Sequence, residues 1–334
     1  MQRWDDLDEV PPGYGPSVVT LGNFDGVHLG HRSVLGDVVA KARLRGAKAV
    51  AVTFEPHPLR VLYPDTAPIP LTGLDHRIEL MSQTGLDAAL VMTFTPELAL
   101  WTPEEFVRRV FAEAVSAVEV VVGRDVRFGH RNAGDLSTMR ELGAMFGFTV
   151  TALDDLGTSD GAADPSREQP APTGRRWSST WARELIADGD VAGAARILGR
   201  PHRVEGVVVH GDHRGRELGY PTANLDPHPS GGVPADGVYA GWLVRPDLAP
   251  DAPDAADARL PAAVSIGTNP TFDGTQRRVE AYVLDRTDLD LYGERVAIEL
   301  VARLRPTVRF DSVDALLVQM ADDVRRCHEV LGIG

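Results

Sequence analysis

Residues 18–31 read VVTLGNFDGVHLGH, and the chemistry open to this segment lies in His28 and His31, set among Gly22, Gly26 and Gly30. The β-branched start predicts a strand, the glycines a turn, and Val34, Leu35, Val38 and Val39 an amphipathic helix beyond it. A strand-to-helix turn aims backbone N–H groups and the positive end of a helix dipole at whatever binds there, which suits a nucleotide phosphate. The glycines fit neither GxxxxGKS/T nor GxGxxG, so neither a P-loop nor a dinucleotide fold is supported. Three residues apart, the histidines share one face of the first helical turn; as donors they would hold phosphate oxygens and stabilise charge growing on a leaving group. Satisfied packing histidines are a second reading. A zinc pair is a third, against which counts the lack of another ligand at helical spacing.

Ser179 and Thr180 offer hydroxyls at a helix start between Arg176 and Arg183, which reads as an anion site or as ordinary capping. In GRELGYPTAN, residues 215–224, Thr222 and Asn224 offer a hydroxyl and an amide oxygen. Such hard ligands suit Mg²⁺ when phosphates complete the shell, but beside Pro221 they equally read as turn residues. Over 278–284, alternation puts Val279, Ala281 and Val283 on one face and Glu280, Tyr282 and Leu284 on the other. Glu280 is then either a solvated carboxylate or a general base for an attacking hydroxyl. Phe54 and Phe128 read as core or as ligand contacts, and His57, between Pro56 and Pro58, as a loop residue.

Two architectures are needed to position these groups. Strands predicted at 17–21, 49–54, 88–94, 118–122 and 149–153 alternate with helix-length stretches, the pattern of an α/β, doubly wound parallel sheet. Thr102, Pro103 and Glu105 have capping-box spacing before Phe106, Val107 and Val110, which marks a helix start. Residues 157–174 are rich in Gly, Pro, Ala and acidic residues without apolar period and read as a flexible insertion. Short helices are predicted at 179–188 and 191–198, and Gly199-Arg200-Pro201 then breaks the pattern, giving expected domains 1–199 and 200–334. Strands at 204–209, 237–244, 262–266, 278–284 and 295–304 follow without helix-length spacers and predict a small antiparallel barrel or sandwich. Residues 246–261 read as a mobile loop, and Val313, Leu316, Leu317, Met320, Val324, Cys327 and Leu331 as the apolar face of a closing helix. Cys327 on that face reads as a packed thiol.

Composition narrows the partners. A chain of 334 residues allows two domains, and 43% hydrophobic with 25% charged residues excludes disorder as the main state. Against 48 Asp and Glu stand 34 Lys and Arg, a net charge of −14 that predicts neither a nucleic-acid nor a membrane partner. Lys41 and Lys48 are the only lysines, so an anionic substrate is to be met by Arg, His, backbone N–H groups and a divalent cation. The single cysteine excludes an intrachain disulfide and a Cys-based zinc site. The opening MQRWDDLDEV lacks a basic and an apolar region of signal type, and no apolar run approaches the ~20 residues of a membrane span. A cytoplasmic location is expected.

The segment around His28 resembles the nucleotidyltransferase signature GxFDGVHxGH of prokaryotic bifunctional riboflavin kinase/FMN adenylyltransferases, or FAD synthetases. The resemblance continues in FEPHP at 54–58, VGRDVRFG at 122–129 and SST at 178–180 followed by Arg183. Further along it is carried by GRELGYPTAN, GVYAG at 237–241, SIGTNPTF at 265–272, VEAYVLD at 279–285 and LYG at 291–293, and so covers nearly the whole chain. It implies that a six-stranded C-terminal barrel moves the ATP γ-phosphate onto the riboflavin 5′-hydroxyl. The N-terminal domain would then join FMN to the α-phosphate of ATP, giving FAD and pyrophosphate. It further implies that Gly22, Phe24, Asp25, Gly26, His28, His31, Asp125, Arg176, Ser179, Thr180 and Arg183 meet ATP in adenylyl transfer, with His28 and His31 catalytic. Phe54, Pro56, Pro58 and Phe128 would lie near the flavin. In the kinase, Gly219, Pro221, Thr222 and Asn224 would meet ATP, Thr222 and Asn224 would hold Mg²⁺, and Glu280 would be the catalytic base. The resemblance leaves the oligomeric state open. Trp177, Ala182, Glu217, His130 and Arg131 depart from the family pattern, but none holds a chemical role. The same residues also admit a chain with only the kinase half active, or a flavin sensor; a sensor has no need of a base at Glu280.

Overall fold

Apolar runs buried on both faces build the first sheet. In the computed structural model its strands are β1 (Gln2–Trp4), β2 (Ser17–Leu21), β3 (Lys48–Glu55), β4 (Ala88–Thr93), β5 (Ala117–Gly123) and β6 (Thr149–Leu153), all parallel, in the order β1-β4-β3-β2-β5-β6. Helices α1 (Leu29–Arg45), α2 (Pro58–Leu62), α3 (Leu74–Ser82), α4 (Pro103–Phe106) and α5 (Leu136–Phe146) lie between them in sequence. One apolar layer gathers Phe106, Phe111 and Met139 against the sheet, the other Leu35, Val38 and Met81, as a doubly wound sheet requires. The predicted strands stand within one residue of their expected bounds, but β1 was not foreseen. Only Trp4 of its three residues is buried, so it carries no alternation; its pairing with β4, Gln2 opposite Ala88, makes it a strand.

The structure describes residues 1–154, 175–211, 218–248, 255–268 and 277–333. By internal contacts the chain forms two units, Met1–Pro68 with Leu74–Ser178, and Ile69–Gly73 with Ser179–Gly334. The helix start at Thr102 is half of a capping box: its hydroxyl accepts the Glu105 N–H at 3.1 Å, but Glu105 pairs with Arg109 at 2.9 Å. The helix then widens to π form over Val107–Ala114, with Val107, Val110 and Phe111 buried.

In the second unit follow α6 (Ser179–Ala187), α7 (Val191–Leu198), β7 (His202–Val209), β8 (Thr222–Leu225), β9 (Gly237–Val244), β10 (Arg259–Gly267), β11 (Arg278–Val283), β12 (Arg295–Arg305) and α8 (Val313–Leu331). The strands close into a barrel in the order β10-β11-β8-β7-β12-β9, every neighbour antiparallel, which decides between barrel and sandwich. Val279, Ala281 and Val283 point inward among Leu243, Ile266 and Ile298. Thr222 and Asn224 are strand residues rather than turn residues: β8 is only four residues long and is held by β7 and β11. The loop expected over 246–261 ends early, in a 3₁₀ turn at Ala255–Ala258 followed by β10; residues 249–254 of it, and the 157–174 insertion, lie outside the described residues. Val313, expected on the apolar face of α8, is 42% exposed in the first turn.

Each unit carries a buried, ion-paired acid that the hydrophobic pattern does not announce. Glu119 on β5, 1% exposed, pairs with Lys41 at 3.0 Å and Arg45 at 2.7 Å and accepts from the Thr151 hydroxyl at 2.6 Å. Burial pushes its carboxyl up, but the Thr151 and Lys41 hydrogen bonds and the charges of Lys41 and Arg45 outweigh that and hold it below the ordinary carboxylate value. Asp323 on α8, 4% exposed, takes a two-pronged ion pair from Arg305 at 2.6 to 3.0 Å and a hydrogen bond from Gln319 at 3.1 Å, which seats α8 against β12. Cys327, one turn on, is fully buried with Leu284 and Leu304, and burial, aided by the Asp323 charge, pushes its thiol up to about 12.

Because the Glu119 pKa is lower in the folded than in the unfolded chain, its contribution to stability is full above the unfolded value and is lost as pH falls through the folded one. Glu119→Gln should therefore cost about 1–3 kcal/mol near neutral pH and flatten the loss of stability below about pH 4, measured by urea unfolding against pH. Equal acid slopes in the two proteins would contradict this. Cys327 should resist a thiol-specific disulfide reagent in the native protein and react fully in denaturant; prompt reaction of the native thiol would show that the α8 seat opens.

Candidate active sites

In the first unit the turn after β2 delivers its histidines through strained backbone. Phe24, Gly26 and Val27 have φ of 48°, 79° and 37°, and Phe24, Val27, Asp25 and His28 are all at most 5% exposed. His28 is the N-cap of α1: its Nδ1 accepts the His31 N–H at 3.3 Å, so the neutral ring carries its proton on Nε2. The two rings stack at 3.7 Å between centroids, with the Phe24 ring edge-on to His31 at 5.3 Å. A Cβ on Gly30 would stand 3.0 Å from His28 Cε1, so glycine leaves room for the imidazole. The packing reading and the donor reading are thus joined in one residue: His28 is buried and also presents an N–H at a helix N-terminus.

Asp125 and Arg176 are brought together as an ion pair at 2.9 Å, both with exposed side chains. Gly22 sits against the Phe24 ring, 3.1 Å from the nearest ring carbon for an added Cβ. Phe128 is 5% exposed and packs with Phe106 in the core, while Phe54 is half-buried beside Phe94 and Phe106. Pro56 follows a cis peptide and Pro58 opens α2. Ser179 and Thr180 open α6, and Arg183 donates to the Ile69 carbonyl at 2.8 Å; these three belong to the second unit. The sequence reading passed over Arg77, a buried cation that binds the main chain of both the turn after β2 and the end of β3. Nothing in its neighbours along the chain distinguishes it from a surface arginine.

In the second unit strand register assembles the group. β11 pairs with β8 so that Glu280 stands opposite Asn224 and Tyr282 opposite Thr222. Paired residues project from the same side of the sheet, their Cβ atoms roughly 5 Å apart. Glu280, Thr222 and Tyr282 line a cleft of about 190 Å³ whose walls are Leu316, Met320 and Val324 of α8 with Tyr220 and Ser265. A smaller cleft, with Pro221, Arg286 and Tyr292 in its walls, is also lined by Thr222, so that residue borders both. Gly219 has φ of 86° in the turn before β8.

The oxygens near Thr222 fit a hard cation. Asn224 Oδ1 is buried and has no hydrogen-bond partner among the described residues, while its Nδ2 lies 3.3 Å from the Thr222 hydroxyl and holds the two side chains together. A backing residue that no motif flagged is Gly211, where an added Cβ would fall 2.7 Å from the Asn224 amide. Among the described residues no group of three or more His, Cys, Asp or Glu stands ready for a metal, so a cation here would draw its remaining ligands from phosphate and water. Nor is any helix among them long and apolar enough to cross a membrane.

Comparison with known proteins matches both halves. A family model described as FAD synthetase covers residues 12–165, and one described as riboflavin kinase covers 198–331. The bifunctional riboflavin kinase/FMN adenylyltransferase of Escherichia coli K12 is 33% identical over 95% of this chain and 93% of its own length. That of Pseudomonas fluorescens is 33% identical over 97% and 96%. A crystal structure from Streptococcus pneumoniae, described as a macrolide-efflux protein, superposes with a TM-score of 0.77 at 28% identity over 98% of each chain. With a parallel α/β sheet bearing the GNFDGVHLGH turn and a closed barrel bearing the paired Glu280 and Asn224, the chain belongs to the bifunctional riboflavin kinase/FMN adenylyltransferase family.

Proposed function

We propose that the chain makes FMN from riboflavin and FAD from FMN, with Glu280 as base in the first step and His28 as a charge-stabilising donor in the second. The observation that carries the kinase half is the pairing of Glu280 with Asn224 at an apolar cleft. The isoalloxazine ring lies against Leu316, Met320 and Val324, with the ribityl chain directed to Glu280. Glu280 takes the proton of the 5′-hydroxyl as that oxygen attacks the γ-phosphorus of ATP, and ADP leaves. The Thr222 hydroxyl and Asn224 Oδ1 would hold Mg²⁺, which would supply neutralisation of phosphate charge when bound. Gly219 and Pro221 shape the turn on which the ATP phosphates rest.

In adenylyl transfer an FMN phosphate oxygen attacks the α-phosphorus of ATP and pyrophosphate departs. The His28 Nε2–H and the N–H groups that open α1 hold the phosphate oxygens and meet the charge that builds on the leaving group. The stacked His31 ring fixes the His28 ring plane. Arg176, released from Asp125, supplies a cation. This reading assigns adenylyl transfer to residues 1–199 and the kinase to 200–334, acting in the cytoplasm on ATP and free flavins without a nucleic-acid or membrane partner.

A chromatographic time course with riboflavin, ATP and Mg²⁺ should give FMN and then FAD, and supplied FMN should give FAD directly. FMN alone would leave a kinase with a silent first unit, and flavin binding without turnover would mean a sensor. His28→Ala should lower FAD formation by about 10²- to 10³-fold and leave FMN formation within a few-fold. Glu280→Ala should do the reverse, by about 10²- to 10⁴-fold. Loss of both activities from either substitution in a folded protein would refute the division. Gly211→Ala should push the Asn224 amide aside and lower FMN formation on the order of tenfold, with FAD formation from FMN unchanged; an unaltered kinase would remove Asn224 from the site.

A further inference from the structure

The turn that presents His28 holds two non-glycine residues, Phe24 and Val27, at positive φ, a strained conformation that persists only where its surroundings impose it. The residue before that stretch is Asn23, and its carbonyl oxygen accepts two hydrogen bonds, from Arg77 Nη1 at 3.2 Å and from the Thr53 hydroxyl at 3.1 Å. The same guanidinium, 3% exposed, turns its other nitrogen to the Phe54 carbonyl at 3.1 Å and the Glu55 carboxylate at 2.8 Å. The Asn23 side-chain Nδ2 in turn lies 3.1 Å from His57 Nε2, and His57 Nδ1 accepts the Leu59 N–H at 3.2 Å. One buried cation therefore ties the GNFDGVH turn to the FEPHP turn.

We infer that Arg77 is a positioning residue for adenylyl transfer, holding the strained turn in the shape that aims His28 and the α1 N–H groups while touching no phosphate itself. The inference rests on the adenylyltransferase reading of His28. The planar fork, through Nη1 and Nη2, reaches two carbonyls and a carboxylate in a fixed geometry that the single nitrogen of an ammonium would match in part, and an apolar side chain would release the Asn23 carbonyl to Thr53 alone. Misplacement of catalytic groups by small distances costs turnover more than it costs binding of the parts of ATP that lie elsewhere.

The test is steady-state FAD formation from FMN by the full chain carrying Arg77→Lys or Arg77→Met, with wild type and His28→Ala alongside and riboflavin phosphorylation by each preparation as an internal control. Expected are a fall in kcat on the order of 10- to 100-fold for Arg77→Met and less for Arg77→Lys, the ATP KM staying within about threefold, and FMN formation unchanged. Should Arg77→Met fold poorly, Thr53→Val removes the second donor to the same carbonyl without a charge, and a kcat loss there in a protein of wild-type melting temperature supports the inference. Addition of millimolar guanidinium should restore part of the lost kcat in Arg77→Ala, which a merely structural role would not predict. Wild-type kcat in folded Arg77→Met and Thr53→Val, or activity that follows only the folded fraction, would overturn the inference while a dead His28→Ala kept the functional reading intact. A wild-type chain that forms no FAD would overturn both.

Discussion

Backbone pairing sets Leu21 beside Val52 in one unit and Asn224 opposite Glu280 in the other, and the chemistry of each half hangs from one of these two pairings. In a parallel sheet the register decides which loop ends emerge together at the carboxyl edge, so the turns after β2 and β3 come out as neighbours and Arg77 can reach both. In the barrel the register decides which side chains share a face. A slip of one residue between β8 and β11 would send Glu280 inward among Leu243 and Ile298 and dismantle the site without altering a single residue.

Buried charge then holds each arrangement in place. Arg77, Glu119 and Asp323 are each at most 4% exposed, and each is met by several polar partners, which is the condition under which a buried charge is tolerated. They act at different places: Glu119 anchors α1 to β5 and β6 through Lys41, Arg45 and Thr151, Arg77 joins two turns, and Asp323 seats α8 along one wall of the Glu280 cleft. The apolar core supplies the bulk of the stability, and these polar clusters choose one arrangement of loops and helices among several that the same core would allow.

The acidic balance of the chain and its dependence on ATP are compatible because phosphate is met locally. The N-terminal N–H groups of α1 and the His28 ring stand at the turn in the first unit, whereas the second offers neutral oxygens from Thr222 and Asn224. On the proposed reading such neutral oxygens would draw in phosphate through a shared cation, which would give the kinase half the stronger need for Mg²⁺.

Sequence alone determined the two-part architecture, because periods of two and 3.6 and the capping residues are local properties. The sheet strands other than β1, together with α7 and the Thr102 cap, were legible to within a residue for that reason. The histidine turn and the Glu280 face were legible as well, since each lies within one contiguous segment. What lay beyond reach depends on groups distant in the chain. β1 is a strand only because β4 accepts it, and β8 only because β7 and β11 flank it. Glu119 is buried only because Lys41, Arg45 and Thr151 converge on it, and Arg77 looks like any helix-surface arginine until the fold brings Asn23 and Phe54 to its side. Local patterning carries the elements, and closure of the sheet and the barrel decides which polar groups meet, because a polar group can be buried only where its partners are already in place.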